Sequence, residues 1–134
     1  MVLDVNGYFA PPASGGLSLF NVTPCRVYDS RFAGPAPHTP ISGTVAIGVA
    51  SSACAVPSVA QAYVLNATVV PSSDLGLLSL YPNGAPVPFA STLNAEDLAV
   101  TSNMAIIPTT NGLINAFASS ATHLIVDVYG YFAP

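Results

Sequence analysis

Clusters of Pro, Gly, Asn, Asp and Ser interrupt this chain roughly every ten residues, which leaves room for short strands and for little else. Between the breakers, apolar and polar residues alternate, and no segment joins a helix cap to a 3.6-residue period. The run AQAYVLNATVV (60–70) is long, β-branched and aromatic and reads as a central strand, with Asn66 in its middle. Further strands are expected over 17–22, over CRVYDSR (25–31) and over 41–49. LGLLSLY (75–81) is closed by Pro82, Asn83 and Gly84, which predicts a hairpin returning over 87–93. Thr109, Thr110, Asn111 and Gly112 predict a second hairpin, between strands over 98–107 and 113–118. Residues 119–122 then turn the chain into a last strand over 123–132. The total is about nine strands, and the expected fold is all-β: a single antiparallel β-sandwich of immunoglobulin-like or jelly-roll topology, with a barrel as the lesser alternative.

One strand word occurs twice. VLDVNGYFAP (2–11) and IVDVYGYFAP (125–134) share Asp4/Asp127, Val5/Val128, Gly7/Gly130, Tyr8/Tyr131, Phe9/Phe132, Ala10/Ala133 and Pro11/Pro134. Such duplication marks a tandem array or a head-to-tail assembly. Residues 1–16 are therefore expected to be the tail of a preceding repeat or a donor strand with its linker, and 17–134 the repeat domain. Val2, Leu3, Asp4, Val5, Tyr8 and Phe9 are the candidate assembly strand. Asn6 stands where Tyr129 stands, so the copies are similar without being interchangeable, which favours a distinct junction role for the first.

Composition excludes several partners. Only 6% of the 134 residues are charged, against about 25% in an ordinary soluble domain. Arg26 and Arg31 are the only cations and the net charge is -4, so phosphates could not be neutralised and nucleic acid is not expected as a partner. Anionic membranes are excluded for the same reason. No apolar run approaches a membrane span, and no charged n-region with an apolar core follows Met1, so neither membrane insertion nor a signal peptide is expected. An uncharged surface rich in Ser, Thr, Asn, Ala and Pro favours association between copies. The even cysteine count in a lysine-free chain of this kind points to an oxidising compartment and a Cys25–Cys54 disulfide, with free buried thiols as the alternative.

Nothing in the sequence supports catalysis, a cofactor or a metal. No G-x-S-x-G word occurs, His38 lies in a proline-rich loop and His123 opens the last strand. Glu96 and Asp97 are adjacent, so on an extended chain they point to opposite sides and read as a solvated turn. Asp127 lies on a strand with both faces partly covered, and a buried carboxylate needs a partner. CRVYDSR supplies one, which makes Arg26, Asp29, Arg31 and Asp127 a candidate structural charge network; an exposed, edge-protecting Asp127 is the other reading. Asn21 and Asn66 begin N-x-T words that are read as strand composition rather than glycan sites. Tyr8, Phe9, Tyr81, Phe89, Tyr129, Tyr131 and Phe132 include enough aromatics for a sugar-stacking platform, or for cores and interfaces.

TPCRVYDSR, ACAVPSVAQAYVLNATVV, LSLYPNGAPVPFASTLN and the closing IVDVYGYFAP, in that order, resemble a tandem β-rich repeat domain of large secreted or surface-associated bacterial proteins. The resemblance covers the chain from Leu19 onward. It implies an extracellular or bacterial-surface location, and it places Cys25 and Cys54 as disulfide partners. It brings no catalytic residue. The expected function is that of an extracellular structural protein assembling head to tail into a fibre or stalk by N-terminal strand addition, its partners being copies of itself or neighbouring repeats. The alternative is a carbohydrate-binding or adhesion module of a multidomain surface protein, with polysaccharide as partner.

Overall fold

The alternation over 60–70 puts Tyr63, Leu65, Ala67 and Val69 on one face, and all four are fully buried in the computed structural model, which describes residues 3, 5, 7–11, 13–32 and 38–134. Among these residues seven strands form: β1 (Ser18–Asp29), β2 (Ile41–Gly48), β3 (Ala62–Pro71), β4 (Leu75–Pro82), β5 (Leu93–Ala95), β6 (Thr101–Pro108) and β7 (Leu113–Ala133). All pairings are antiparallel. The all-β class is as expected. The architecture differs: there is one continuous sheet, curled nearly into a barrel, in place of a two-sheet sandwich of about nine strands.

The difference comes from β7. It runs for 21 residues without interruption. Its first half, 113–118, is flanked by β2 and β4, and its second half, 122–133, by β1 and β3. One strand thus serves on both sides of the molecule, and the expected pair of strands over 113–118 and 123–132 is a single element. The expected turn at 119–122 is an irregularity inside it, where the β2 register jumps from Ile41↔Thr122 to Gly43↔Ala118. Hydroxyls hold this bulge in place of ladder bonds. Ser119 Oγ accepts the Leu77 N–H at 3.0 Å, and the Ser72 hydroxyl donates to the Ala121 carbonyl at 3.3 Å. Inward-facing Ile114, Ala116, Ala118, Thr122, Leu124, Val126 and Val128 keep the period of two across the bend.

The segments expected over 17–22 and 25–31 likewise fuse into β1. Its register against β7 slips between Asn21 and Cys25, where Pro24 has no N–H to give the ladder. The return after Pro82 exists, but only Leu93–Ala95 pairs with β4, and 87–92 forms no strand. The second expected hairpin is also absent. A tight turn does occur at 109–112, with Gly112 at φ +79 and its N–H bonded to Thr109 Oγ1 at 3.0 Å. However, β6 pairs with β3 while the first half of β7 pairs with β2 and β4, so the strands that flank the turn are not paired with each other. The barrel is left with two seams among the described residues. β6 lies against β4 and β5, and β1 approaches β2, in both cases without a ladder.

Candidate assembly interface

The second copy of the duplicated word is built into the middle of the sheet. Residues 125–133 of β7 pair with β1 on one side, from Asp29↔Ile125 to Ser18↔Ala133, and with β3 on the other, from Thr68↔Ile125 to Ala62↔Phe132. Val126 and Val128 are fully buried. Tyr131 stacks on Phe20 with ring centroids 5.2 Å apart. Gly130 lies where β1 crosses closely, and a Cβ there would sit 2.7 Å from the Phe20 carbonyl oxygen.

The first copy has no such place. Val2 and Asp4 lie outside the described residues, as do 33–37 of the expected proline-rich arm. Among the described residues, Leu3, Val5, Tyr8 and Phe9 belong to no strand. The slot that their sequence would suit is filled by β7. Val5 and Tyr8 are each 90% exposed and Phe9 78%. Phe9 meets its own counterpart, Phe132, at a ring separation of 6.1 Å. Around Gly7 there is open space, in contrast to Gly130.

The four charged residues singled out from the sequence come together on the outer face. Arg26 and Asp127 stand opposite each other in the β1–β7 register, with Nε 2.9 Å from Oδ1 and Nη2 3.4 Å from Oδ2. Arg26 Nη1 also reaches Asp29 Oδ2 at 3.2 Å. Arg31 grips Asp29 through Nε–H to Oδ1 at 2.9 Å, Nη2–H to Oδ2 at 2.7 Å and its backbone N–H to Oδ1 at 3.1 Å. Both cations of the chain are therefore engaged by carboxylates. The network pins β1 beside β7 and stiffens the corner after Asp29.

The hydrogen bonds from Arg31 hold the Asp29 carboxyl below its ordinary range, against the opposing effect of burial, and Arg26 adds a smaller favourable field. A carboxylate whose folded pKa is depressed contributes stability above its unfolded pKa and loses it as pH falls through the folded value. Asp29 is expected to contribute fully at neutral pH and to lose that contribution progressively as pH falls below its ordinary 3.8 and through its lower folded value. Asp29→Asn, which removes a 7% exposed acceptor of charged donors, is expected to cost about 1.5–3 kcal/mol at pH 7. It should also flatten the acid limb of the melting temperature against pH. An unchanged acid limb in calorimetry would show that the pairs contribute nothing to the fold.

The other singled-out groups do not converge. Among the described residues there is no cluster of metal-ligating side chains. Asp97 caps its own turn by accepting the Ala99 N–H at 3.1 Å, and Glu96 is exposed. His38 packs edge-on to Phe32. His123 Nδ1 lies 3.1 Å from Ser30 Oγ, a contact that sequence reasoning missed because the two are 93 positions apart. Ser30 is 2% exposed and its oxygen accepts the Leu124 N–H, so the pair belongs to the β1–β7 junction rather than to an accessible nucleophile. Asn66 donates to Thr68 Oγ1. The aromatics are scattered: Tyr81 is buried against Thr44, Tyr131 stacks on Phe20, and Phe89 stands alone on the 87–92 segment, fully exposed.

Cys25 and Cys54 are joined in a disulfide. The bond points to a non-reducing environment. No helix of the described residues is long and apolar enough to cross a membrane. Comparison of the chain with protein-family models, with curated proteins and with solved structures gives no match.

Proposed function

We propose that this chain is an extracellular structural subunit, displayed at a bacterial surface, that joins its neighbours head to tail by donating residues 2–11 as a strand. The observation that carries the proposal is the contrast between the two copies of one strand word. The copy at 125–134 is a central strand, whereas the described residues of the first copy leave large apolar side chains in solvent while their equivalent slot is occupied. Burying Val5, Tyr8 and Phe9 on a neighbour would contribute roughly 1.5–3 kcal/mol each before the cost of ordering the segment. The backbone ladder would set the register. Donor and acceptor are different surfaces, so the contact does not close and propagates as a filament.

The linker limits the geometry. β1 begins opposite the end of β7, at Ser18↔Ala133, so the chain enters and leaves the barrel at one end. From Pro11 to Ser18 a fully extended chain spans at most roughly 24 Å, so the receiving subunit must touch the donor. The nearly uncharged surface opposes such close stacking little.

Deleting residues 1–12 tests the proposal. The intact chain is expected to form extended particles in electron micrographs and to scatter light strongly, and the truncated chain to sediment as a folded monomer. Particles of unchanged size after truncation would refute strand donation. A monomeric intact chain that is retained on a polysaccharide matrix would favour the adhesion-module reading instead.

A further inference from the structure

The seam between β6 and the 88–92 segment is a groove of about 430 Å³, and Val5 stands at its mouth. Its walls are Leu80 and Tyr81 of β4 on one side and Met104, Ile106 and Ile107 of β6 on the other. The seam has the properties of an unfilled strand position. Among the described residues β6 pairs only with β3, so the backbone groups that alternate toward its other edge have no ladder partner. The edge is guarded at one point by Asn103. Its Oδ1 accepts the Met104 N–H at 3.0 Å and its Nδ2 donates to the Thr92 carbonyl at 2.8 Å, which ties the seam shut there and leaves it open toward Pro108.

The lining is uncharged and mixes apolar with polar side chains. Of the lining residues Met104 is an exposed apolar side chain, Ser91, Thr92 and Asn103 add polar groups, and 98–108 contains no charged residue. Exposed apolar side chains gathered beside an unpaired edge mark a pairing site. Val5 is among the residues that line the groove, yet it remains 90% exposed.

Resting on the reading of residues 2–11 as a donated strand, we infer that the β6 edge and its groove are the acceptor, filled in the assembly by the N-terminal segment of a second copy. That segment has the sequence of a strand this fold already accommodates, and its single carboxylate meets no like charge along 98–108. A strand there would give β6 a second partner and would close that seam. Each subunit would then be completed by its neighbour.

Two single-cysteine variants of the full chain, Val5→Cys and Met104→Cys, test this when mixed and mildly oxidised with the native disulfide intact. A covalent dimer joined between positions 5 and 104 is expected, identified by peptide mass. Its yield should be at least tenfold above that from Val5→Cys mixed with Leu19→Cys, whose exposed cysteine lies on β1. Equal yields, or no 5–104 link between chains, would overturn the inference. So would a Val5→Cys/Met104→Cys double variant that forms only an internal bridge. The 1–12 deletion separates the two readings: if it abolishes particles while the 5–104 link fails, the strand is donated to a different edge. If particles survive the deletion, donation itself is wrong and the acceptor inference falls with it.

Discussion

Replacing Cys25 and Cys54 by Ala together is expected to lower the stability of the chain by about 3–4 kcal/mol, the loop-closure entropy of roughly 30 residues. The bridge closes a sequence separation of 29. For a domain of this size the loss corresponds to a fall in melting temperature of about 10–20 °C. The position of the bond makes the effect large. Cys25 is on β1 and Cys54 follows β2, and these two strands approach each other without a ladder. The disulfide is the covalent link across that seam, and the connector between β1 and β2 lies inside the loop it closes. Calorimetry of the double variant, and of the wild type with and without reductant, measures the effect. An unchanged melting temperature in both would show that the seam is held by packing alone.

Gly130→Val is expected to be equally damaging, and Gly7→Val to leave the isolated fold untouched, although the two glycines occupy the same place in the duplicated word. At Gly130 a Cβ would sit 2.7 Å from the Phe20 carbonyl oxygen and 3.5 Å from Leu19 Cδ1. The obstructing atom is backbone, so it cannot rotate away, and β1 must move off β7 to make room. Forced overpacking of this kind typically costs about 1–3 kcal/mol, and more where ladder bonds are broken with it. At Gly7 nothing lies within 4 Å, so the larger side chain meets only solvent. Urea unfolding of the two variants provides the comparison. Equal midpoints would mean that β1 is not held closely against the end of β7.

The individual strands were largely readable in advance. The expected strands over 41–49, 60–70 and 75–81 correspond to β2, β3 and β4 within two residues at each end, because alternation and flanking breakers are local properties of the chain. The partnership of Asp127 with CRVYDSR was one of two readings open from the sequence, beside an exposed, edge-protecting Asp127, and the contact with Arg26 is the one the structure contains. Where a local signal stood for a non-local choice, expectation and structure part. Thr109 to Gly112 has the composition of a hairpin turn and does turn, but β6 buries its Ala105 and Ile107 by pairing with β3. Ser119 and Ser120 read as a loop because hydroxyls favour turns, yet they sit inside a continuous bent strand and bond the neighbouring backbone, Ser119 accepting the Leu77 N–H of β4 and Ser120 donating to the Asp74 carbonyl just before it. Leu98 could not extend β6, since it adopts φ 63 in the turn capped by Asp97.

The sequence by itself determined that the chain is made of strands, that one strand word is present twice, and which charges and cysteines needed partners. These follow from a period of two, from the small number of titratable groups and from the conformational limits of Pro and Gly. Only the tertiary structure decided which strands lie side by side. It made β7 common to both halves of the sheet, curled that sheet nearly into a barrel where two separate layers were expected, and left the β6 edge without a second ladder partner among the described residues. The physical reason is that pairing is settled by the burial of residues far apart in the chain, which no local pattern encodes. The described residues of the first copy form no strand in this barrel, in which the second copy is a central strand.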